Sequence, residues 1–392
     1  MALSKGRVLA DNAAGAQLPD SAIAAVNTYL RQSNAQKGNF FARGEFTSEI
    51  VATARHGIAT LLGAQAQAVA FGPNATTLAF HLARLLAGRL QAGAQVIVSA
   101  ADHESNVAPW MWLRRFGAEV TVISVDDRGD LDETAFCAAL EREPALVALP
   151  WASNLTGTVY DIARFARLAK DAGALVVVDG VQAAPHLALT IDPAIDAAFF
   201  SAYKVFAPHF GFAYLRREFR ERFLREDDEF APGGSLSWTM ETGTQCYEAI
   251  AGWTGTLRYL LEVGEGNART AMQKFAAYEA RLTAFALENF AARSETVELY
   301  GRAPGAARLP VFAFNVRGVD ASAVAESFDD AGIEGRIGDY YSPRLLRRLA
   351  PGHNAAIRLS FVHYNSMQDV ERCFTVLDEI VAKFRARGVA ST

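Results

Sequence analysis

The stretches Leu175-Val176-Val177-Val178-Asp179-Gly180-Val181-Gln182 and Ala197-Ala198-Phe199-Phe200-Ser201-Ala202-Tyr203-Lys204 decide how this chain is read. Each opens on a short apolar run without polar alternation, the pattern of a strand buried on both faces of a parallel sheet. Each ends in a group that carries chemistry, a carboxylate in the first and an amine in the second. Strands laid side by side in the same direction bring both groups to one sheet edge.

A lysine amine can condense with an aldehyde as a Schiff base, and an aspartate can hold a pyridine nitrogen protonated so that the ring accepts electrons. The pair therefore suits pyridoxal phosphate. Each residue also has an ordinary alternative: Asp179 as a helix cap, Lys204 as a solvent-facing lysine. The neighbours Phe199, Phe200, Val205 and Phe206 argue against an exposed Lys204. A desolvated Asp179 needs a cationic partner to offset the cost of its charge.

Working outward, strand-like and helical runs alternate as in a parallel sheet covered by helices. The expected strands are Ala68 to Gly72, Gln95 to Ser99, Glu119 to Ser124, Leu146 to Pro150, Leu175 to Asp179 and Ala197 to Ser201, with Phe212 to Arg216 as a further, antiparallel one. Helices are expected at Thr77 to Ala87, Leu131 to Arg142 and Ile162 to Ala172. After about residue 255 one long helical stretch, Leu257 to Phe290, leads into a smaller α/β set. Its parts are Val311 to Val316, a helix from Ala321 to Ala331, strands near Glu334 to Ile337 and Ile357 to Tyr364, and a helix from Met367 to Phe384. The expected division is an N-terminal segment 1–20 near the active site, a large cofactor-binding domain 21–255, and a connecting helix with a small domain over 256–392. A chain of 392 residues exceeds what one core usually supports.

A phosphate needs a cradle, and Phe71-Gly72-Pro73-Asn74-Ala75-Thr76-Thr77 offers one between a strand and a helix whose apolar face is Leu78, Leu82, Leu85 and Leu86. Free N–H groups and the positive dipole end of a first helical turn bind an anion; the alternative is an ordinary capped loop. His103 follows a strand, where a ring lying over the cofactor would sit, although a lone histidine there is commonly structural. Asn154 ends another strand and suits either a cofactor oxygen, a substrate or a plain turn. Gln182 could donate to the cofactor's phenolic oxygen. Arg358, a charge inside an apolar strand, can grip a substrate carboxylate with two parallel hydrogen bonds, or simply point outward.

Other classes lack their signatures. The net charge is −5 with no long basic block, so no footprint for nucleic acid is present. No run approaches the ~20 apolar residues that cross a bilayer, and a cytoplasmic enzyme is expected. Cys137, Cys246 and Cys373 form no CxxC pair, and the seven histidines no HExxH spacing, so no metal site is expected. Neither a Walker loop nor GxGxxG is present, which removes the nucleotide-binding reading.

Taken in order, Asp11-Asn12-Ala13-Ala14, Asn74-Ala75-Thr76, Asp102-His103, Ser153-Asn154, Asp179-Gly180-Val181-Gln182, Ser201-Ala202-Tyr203-Lys204, Pro208, Gly211, Glu241-Thr242-Gly243-Thr244 and Ile357-Arg358-Leu359-Ser360 resemble the class V aminotransferase superfamily, most closely its cysteine-desulfurase-like branch. The resemblance implies the type I fold of pyridoxal-phosphate enzymes: a large, mostly parallel sheet with helices on both faces and a smaller C-terminal α/β domain. It implies Lys204 as the Schiff-base lysine, Asp179 on the pyridine nitrogen and His103 stacked on the ring. It further implies Asn154, Gln182 and Tyr203 at the cofactor, Ala75, Thr76 and Ser201 on its phosphate, and Ala14, Asn154 and Arg358 at the substrate. Thr244 matches a residue offered to the neighbouring subunit's phosphate, so a homodimer is expected.

Two departures stand out. Tyr203 replaces the histidine that desulfurases usually carry before the lysine. The segment Arg336-Ile337-Gly338-Asp339-Tyr340-Tyr341-Ser342 occupies the region of their sulfur-accepting cysteine and has none. What survives is amino-acid chemistry of the aminotransferase or carbon–sulfur lyase type, with epimerisation, other Cα or Cβ chemistry, or a non-catalytic binding protein as alternatives.

Overall fold

The computed structural model describes residues 6–223, 239–303 and 305–389; parts of the expected N-terminal segment (1–5) and large domain (224–238) lie outside the described residues. The larger of its sheets is built from β2 (Val69–Gly72), β3 (Gln95–Ser99), β4 (Glu119–Ile123), β5 (Leu146–Pro150), β6 (Leu175–Asp179), β7 (Ala197–Ser201) and β8 (Gly211–Leu215), in the order β2-β8-β7-β6-β5-β3-β4. The strands from β7 to β4 run parallel, while β8 is antiparallel to both of its neighbours.

The unbroken apolar runs follow from this position in the sheet. Val176, Val178, Ala198 and Phe200 face one layer of helices, and Val177, Ala197 and Phe199 face the other. Removing such side chains from water contributes roughly 1.5–3 kcal/mol for each large one. Polar groups are confined to the strand ends, and ligands in sheets of this kind bind beyond the carboxyl ends of the strands. Register does the rest: Asp179 pairs with Phe199 and Pro150, while Ser201 pairs with Gly211 and Gly211 with Gly72. The ends of β2, β6 and β7 thus share one edge.

The expected single helix from Leu257 to Phe290 is corrected to two, Tyr247–Val263 and Ala268–Ala291. The break is local. Glu265 and Gly266 take positive φ values of 54° and 92°, and Asn267 caps the second helix by accepting from the N–H groups of Arg269 and Thr270. At Gly264 a Cβ would lie 1.9 Å from the Asn267 carbonyl oxygen, so the turn closes only around glycine. The helix Tyr247–Val263 also runs through the expected 255/256 division and packs on the helices Asp20–Gln32 and Ala42–Leu62.

The smaller sheet has β9 (Val297–Leu299), β10 (Val311–Val316), β12 (Arg336–Gly338) and β13 (Ala356–Ser360) in the antiparallel order β12-β13-β10-β9. Phe312 and Phe314 of β10 pack with Phe290 beneath the helix Met367–Val389. The N-terminal segment belongs here by contact: β1 (Val8–Leu9) pairs with β11 (Ile333–Glu334), and Asn12 Nδ2 donates to Ser360 O at 2.9 Å. That tie carries Asp11 to Ala14 back toward the edge of the larger sheet.

Candidate active site

Lys204 ends a one-turn helix, Ala202–Lys204, directly after β7. It is 7% exposed, and its amine donates to Gln182 Oε1 at 3.2 Å. Burial pushes this amine down to about 8; the Arg358 guanidinium acts in the same direction, and Asp179 and Asp11 act against it. A substantial share of Lys204 is therefore the free, nucleophilic amine at mildly alkaline pH.

Asp179 closes β6 and is held from two sides. The Val181 N–H donates to Oδ1 at 2.8 Å, and Ser105 Oγ donates to Oδ2 at 3.2 Å. Burial raises its pKa above the usual carboxylate range, opposed by the Val181 N–H, Lys204 and Ser105. A cation brought against it would reverse that direction. Asp102, quoted within a motif but not assigned a role from sequence, is also buried at this cavity. Its pKa is raised well above the usual range, first by burial and then by the charge of Asp179.

His103 lies in the loop after β3. The Ser105 N–H donates to its Nδ1 at 3.0 Å, which puts the ring hydrogen on Nε2. Burial, followed by the charges of Lys204 and Arg358, lowers its pKa to about 3, so the ring is neutral at any working pH. Ser105, which sequence reasoning missed, stands between this ring and Asp179: its hydroxyl is 2.7 Å from Nδ1 and 3.2 Å from Asp179 Oδ2, and its one hydrogen serves one of the two at a time. The signal was its place two residues after His103.

The cradle is the start of the helix Ala75–Ala87. Asn74 Oδ1 caps it by accepting from the Thr77 N–H at 2.8 Å, and the first-turn N–H groups of Ala75 and Thr76 have no partner within the helix. Gly211 makes room for this loop, since a Cβ there would stand 2.4 Å from the Asn74 carbonyl carbon. One cavity joins the parts, with Ala75, Thr76, His103, Asn154, Asp179, Gln182, Ser201, Tyr203 and Lys204 all on its wall beside Asp102 and Ser105.

Three expected residues lie off this wall, Thr244 among them, which was expected at a partner's phosphate and not at this one. Arg358 is buried off the cavity wall, donating to Asp11 Oδ1 and to Asn154 O, each at 3.0 Å, with its guanidinium 4.2 Å above the Tyr340 ring. Its Nε has no hydrogen-bond partner among the described residues. Ala14 sits in a turn, donating to Asp11 O. Thr244 is exposed and does not line the cavity; its segment is anchored by Glu241, which accepts from the Phe71 N–H and pairs with Arg55. Asn154 does reach the wall, but its amide serves the 336–342 loop, donating to Tyr340 O and accepting from Ser342 Oγ, each at 2.8 Å. Tyr203, in the place of the usual histidine, stacks on His209.

That loop is firmly held. Tyr340 and Tyr341 have φ values of 57° and 55°, a conformation that non-glycine side chains adopt at a cost. The Tyr340 hydroxyl lies 2.6 Å from Arg336 O and 2.7 Å from Ala356 O, and the exposed Tyr341 ring stands 5.4 Å from His103. The free cysteines lie on other elements: Cys137 is exposed on the helix Glu133–Leu140, Cys246 is exposed just before the helix Tyr247–Val263, and Cys373 is buried in the small-domain core with its thiol pushed up to about 12.

An anion cradle, a buried carboxylate, an amine of lowered basicity and a neutral planar ring around one cavity match the donor set that pyridoxal phosphate needs. Comparison with known proteins agrees. The aminotransferase class-V family model matches residues 8–373. The aminotransferase-like protein FGM3 of Gibberella zeae is 27% identical over 97% of this chain and 96% of its own. A probable cysteine desulfurase of Halobacterium salinarum is 29% identical over 95% of this chain and 91% of its own. In fold, the cysteine desulfurase of Thermococcus onnurineus superposes with a TM-score of 0.88 at 24% identity, covering 96% of this chain and 95% of that one. The chain belongs to the class-V aminotransferase family and is a pyridoxal-phosphate-dependent enzyme of the aminotransferase or carbon–sulfur lyase type.

Proposed function

We propose that Lys204 is the lysine that carries the cofactor and moves the proton at the substrate α-carbon, in a transamination of an amino acid. When bound, the cofactor supplies an electron-withdrawing ring that makes that hydrogen acidic. Asp179 holds the ring nitrogen, and its own burial makes the cation welcome. The neutral His103 ring covers the cofactor face and keeps water out. Ala75 and Thr76 hold the phosphate through their N–H groups, with Ser201 adding a hydroxyl and Tyr203 closing the wall. The observation that carries this reading is Lys204 itself: buried, lowered to about 8, and on the same cavity as Asp179 and the cradle.

Arg358 anchors the substrate carboxylate. Its bonds to Asp11 and Asn154 use two of the five guanidinium N–H donors, and the rest, the unpartnered Nε–H among them, are left for the carboxylate; Ala14 follows Asp11 in the same turn. The active unit is a homodimer in which the exposed Thr244 reaches the partner's phosphate, and the three free cysteines suit a reducing compartment, the cytoplasm.

A second reading is elimination of a sulfur substituent, favoured by relatives that carry the name cysteine desulfurase. With tyrosines at 340 and 341, sulfur would then leave without a protein persulfide on that loop. Incubation with a panel of amino acids and a keto-acid acceptor separates the two. Keto acid without ammonia is expected; ammonia with pyruvate moves the assignment to elimination, and neither product with any substrate overturns both readings.

A further inference from the structure

Behind the cavity, a buried line of side chains runs from Lys204 and Gln182 to two residues, His186 and Glu279, that the chemistry described above does not use. Lys204 donates to Gln182 Oε1 at 3.2 Å, Gln182 Nε2 lies 3.3 Å from His186 Nε2, and His186 Nδ1 lies 2.7 Å from Glu279 Oε2. Gln182, His186 and Glu279 are each 2% exposed. Gln182 and His186 follow β6, whereas Glu279 comes from the helix Ala268–Ala291. An imidazole and a carboxyl enclosed this fully cost stability unless each polar atom has a defined partner.

With the Lys204 amine donating to Gln182 Oε1, one arrangement of a neutral ring and a carboxylate satisfies every contact in the line. Burial raises the pKa of Glu279, while His186 and the His363 backbone hold it down; as a carboxylate it accepts, and Nδ1 of His186 then carries the hydrogen. A ring with that hydrogen alone has Nε2 as its acceptor, and an acceptor takes the N–H end of the Gln182 amide. The amide oxygen is then turned to Lys204. We propose that Glu279 and His186 are positioning residues: they fix the Gln182 amide with its oxygen on the Lys204 amine and one N–H left over for the cofactor's phenolic oxygen. The inference rests on the assignment of Lys204 above and adds what sets its partner.

The consequence is electrostatic. An acceptor at Nζ favours the charged amine, and a turned amide would face it with a donor. The other groups acting on Lys204 are Asp179 from β6, Asp11 from the N-terminal segment and Arg358 from β13, with neutral His103 also on the cavity wall. All four are unchanged in the variants below.

The test follows acetylation of Lys204 in the full-length chain across a pH series, read by peptide mass. In Glu279→Gln a carboxamide can also donate to Nδ1, which frees the ring to hold its hydrogen on Nε2 and the Gln182 amide to turn. The midpoint is expected to fall by roughly half to one pH unit, the worth of one charge-assisted hydrogen bond shared between two orientations. On a Gln182→Ala background the same substitution should move nothing, because no amide remains to be oriented. Equal shifts in both backgrounds, or none in the first, overturn the proposal. If either variant fails to fold, nitrogen NMR of the unaltered chain decides instead: His186 protonated on Nδ1 is expected, and a hydrogen on Nε2 overturns it. Whether Lys204 carries cofactor at all is read separately, so the failure of one claim does not mimic failure of the other.

Discussion

The floor of the cavity and the loop that leans over it solve different problems. Asp179, Gln182 and Lys204 are placed by strand ends and tight turns, with their backbone in the sheet and its first turns. The 336–342 loop instead holds two tyrosines at positive φ, pinned by the Tyr340 hydroxyl, Asn154 and the Arg358 guanidinium. On the function proposed above, the floor supplies chemistry that any amino acid would need, and the loop, whose Tyr341 ring stands 5.4 Å from His103, is where discrimination between substrates is expected. Where the family pattern holds, at the floor, the reaction class can be stated; where it departs, at the loop, a difference in substrate preference is expected.

That division can be broken at either end. The largest effect is expected for Lys204→Ala, which should lower turnover of every substrate by about 10²–10⁴-fold, the usual worth of a positioned acid–base group, and abolish the visible band of the bound cofactor. Uniform loss marks a floor residue. For Arg358→Ala, between the two regions, the apparent affinity for carboxylate substrates should weaken by roughly 10–100-fold, about one charge-assisted hydrogen bond, with the cofactor spectrum intact; unchanged KM would remove the clamp. The smallest total effect belongs to Tyr341→Ala. Its side chain is 71% exposed, so thermal stability should hold, while the ratio of kcat/KM between a small and a bulky amino acid changes by about tenfold. A variant that slows both substrates equally would erase the distinction between floor and loop.

Much of the floor was legible because it depends on local pattern. The bounds of β3, β5, β6, β7 and β10 coincide with the apolar runs, since a strand buried on both faces has no other way to be written. The break at Gly264 to Asn267 was harder: helical periodicity continues on both sides, and the stop rests on positive φ at Glu265 and Gly266, the close approach at Gly264 and the Asn267 cap. Side-chain partners were the least legible. Nothing along the chain says that Asn154 serves Tyr340 and Ser342, that Asp11 occupies Arg358, or that Glu279 lies behind His186. Those pairings join residues far apart in sequence and are settled by packing. Thr244 was placed by resemblance alone, and in the structure it faces outward.

The most direct measurement reduces the cofactor-loaded chain with borohydride at a series of pH values, digests it, and weighs the peptide that carries residue 204. Loading requires the free amine, and burial lowers the folded pKa of Lys204 to about 8. The rate of loading should therefore rise with pH through a midpoint near 8, well below that of an exposed lysine, with the cofactor mass on Lys204. Label on another lysine, or no label at any pH, would contradict it.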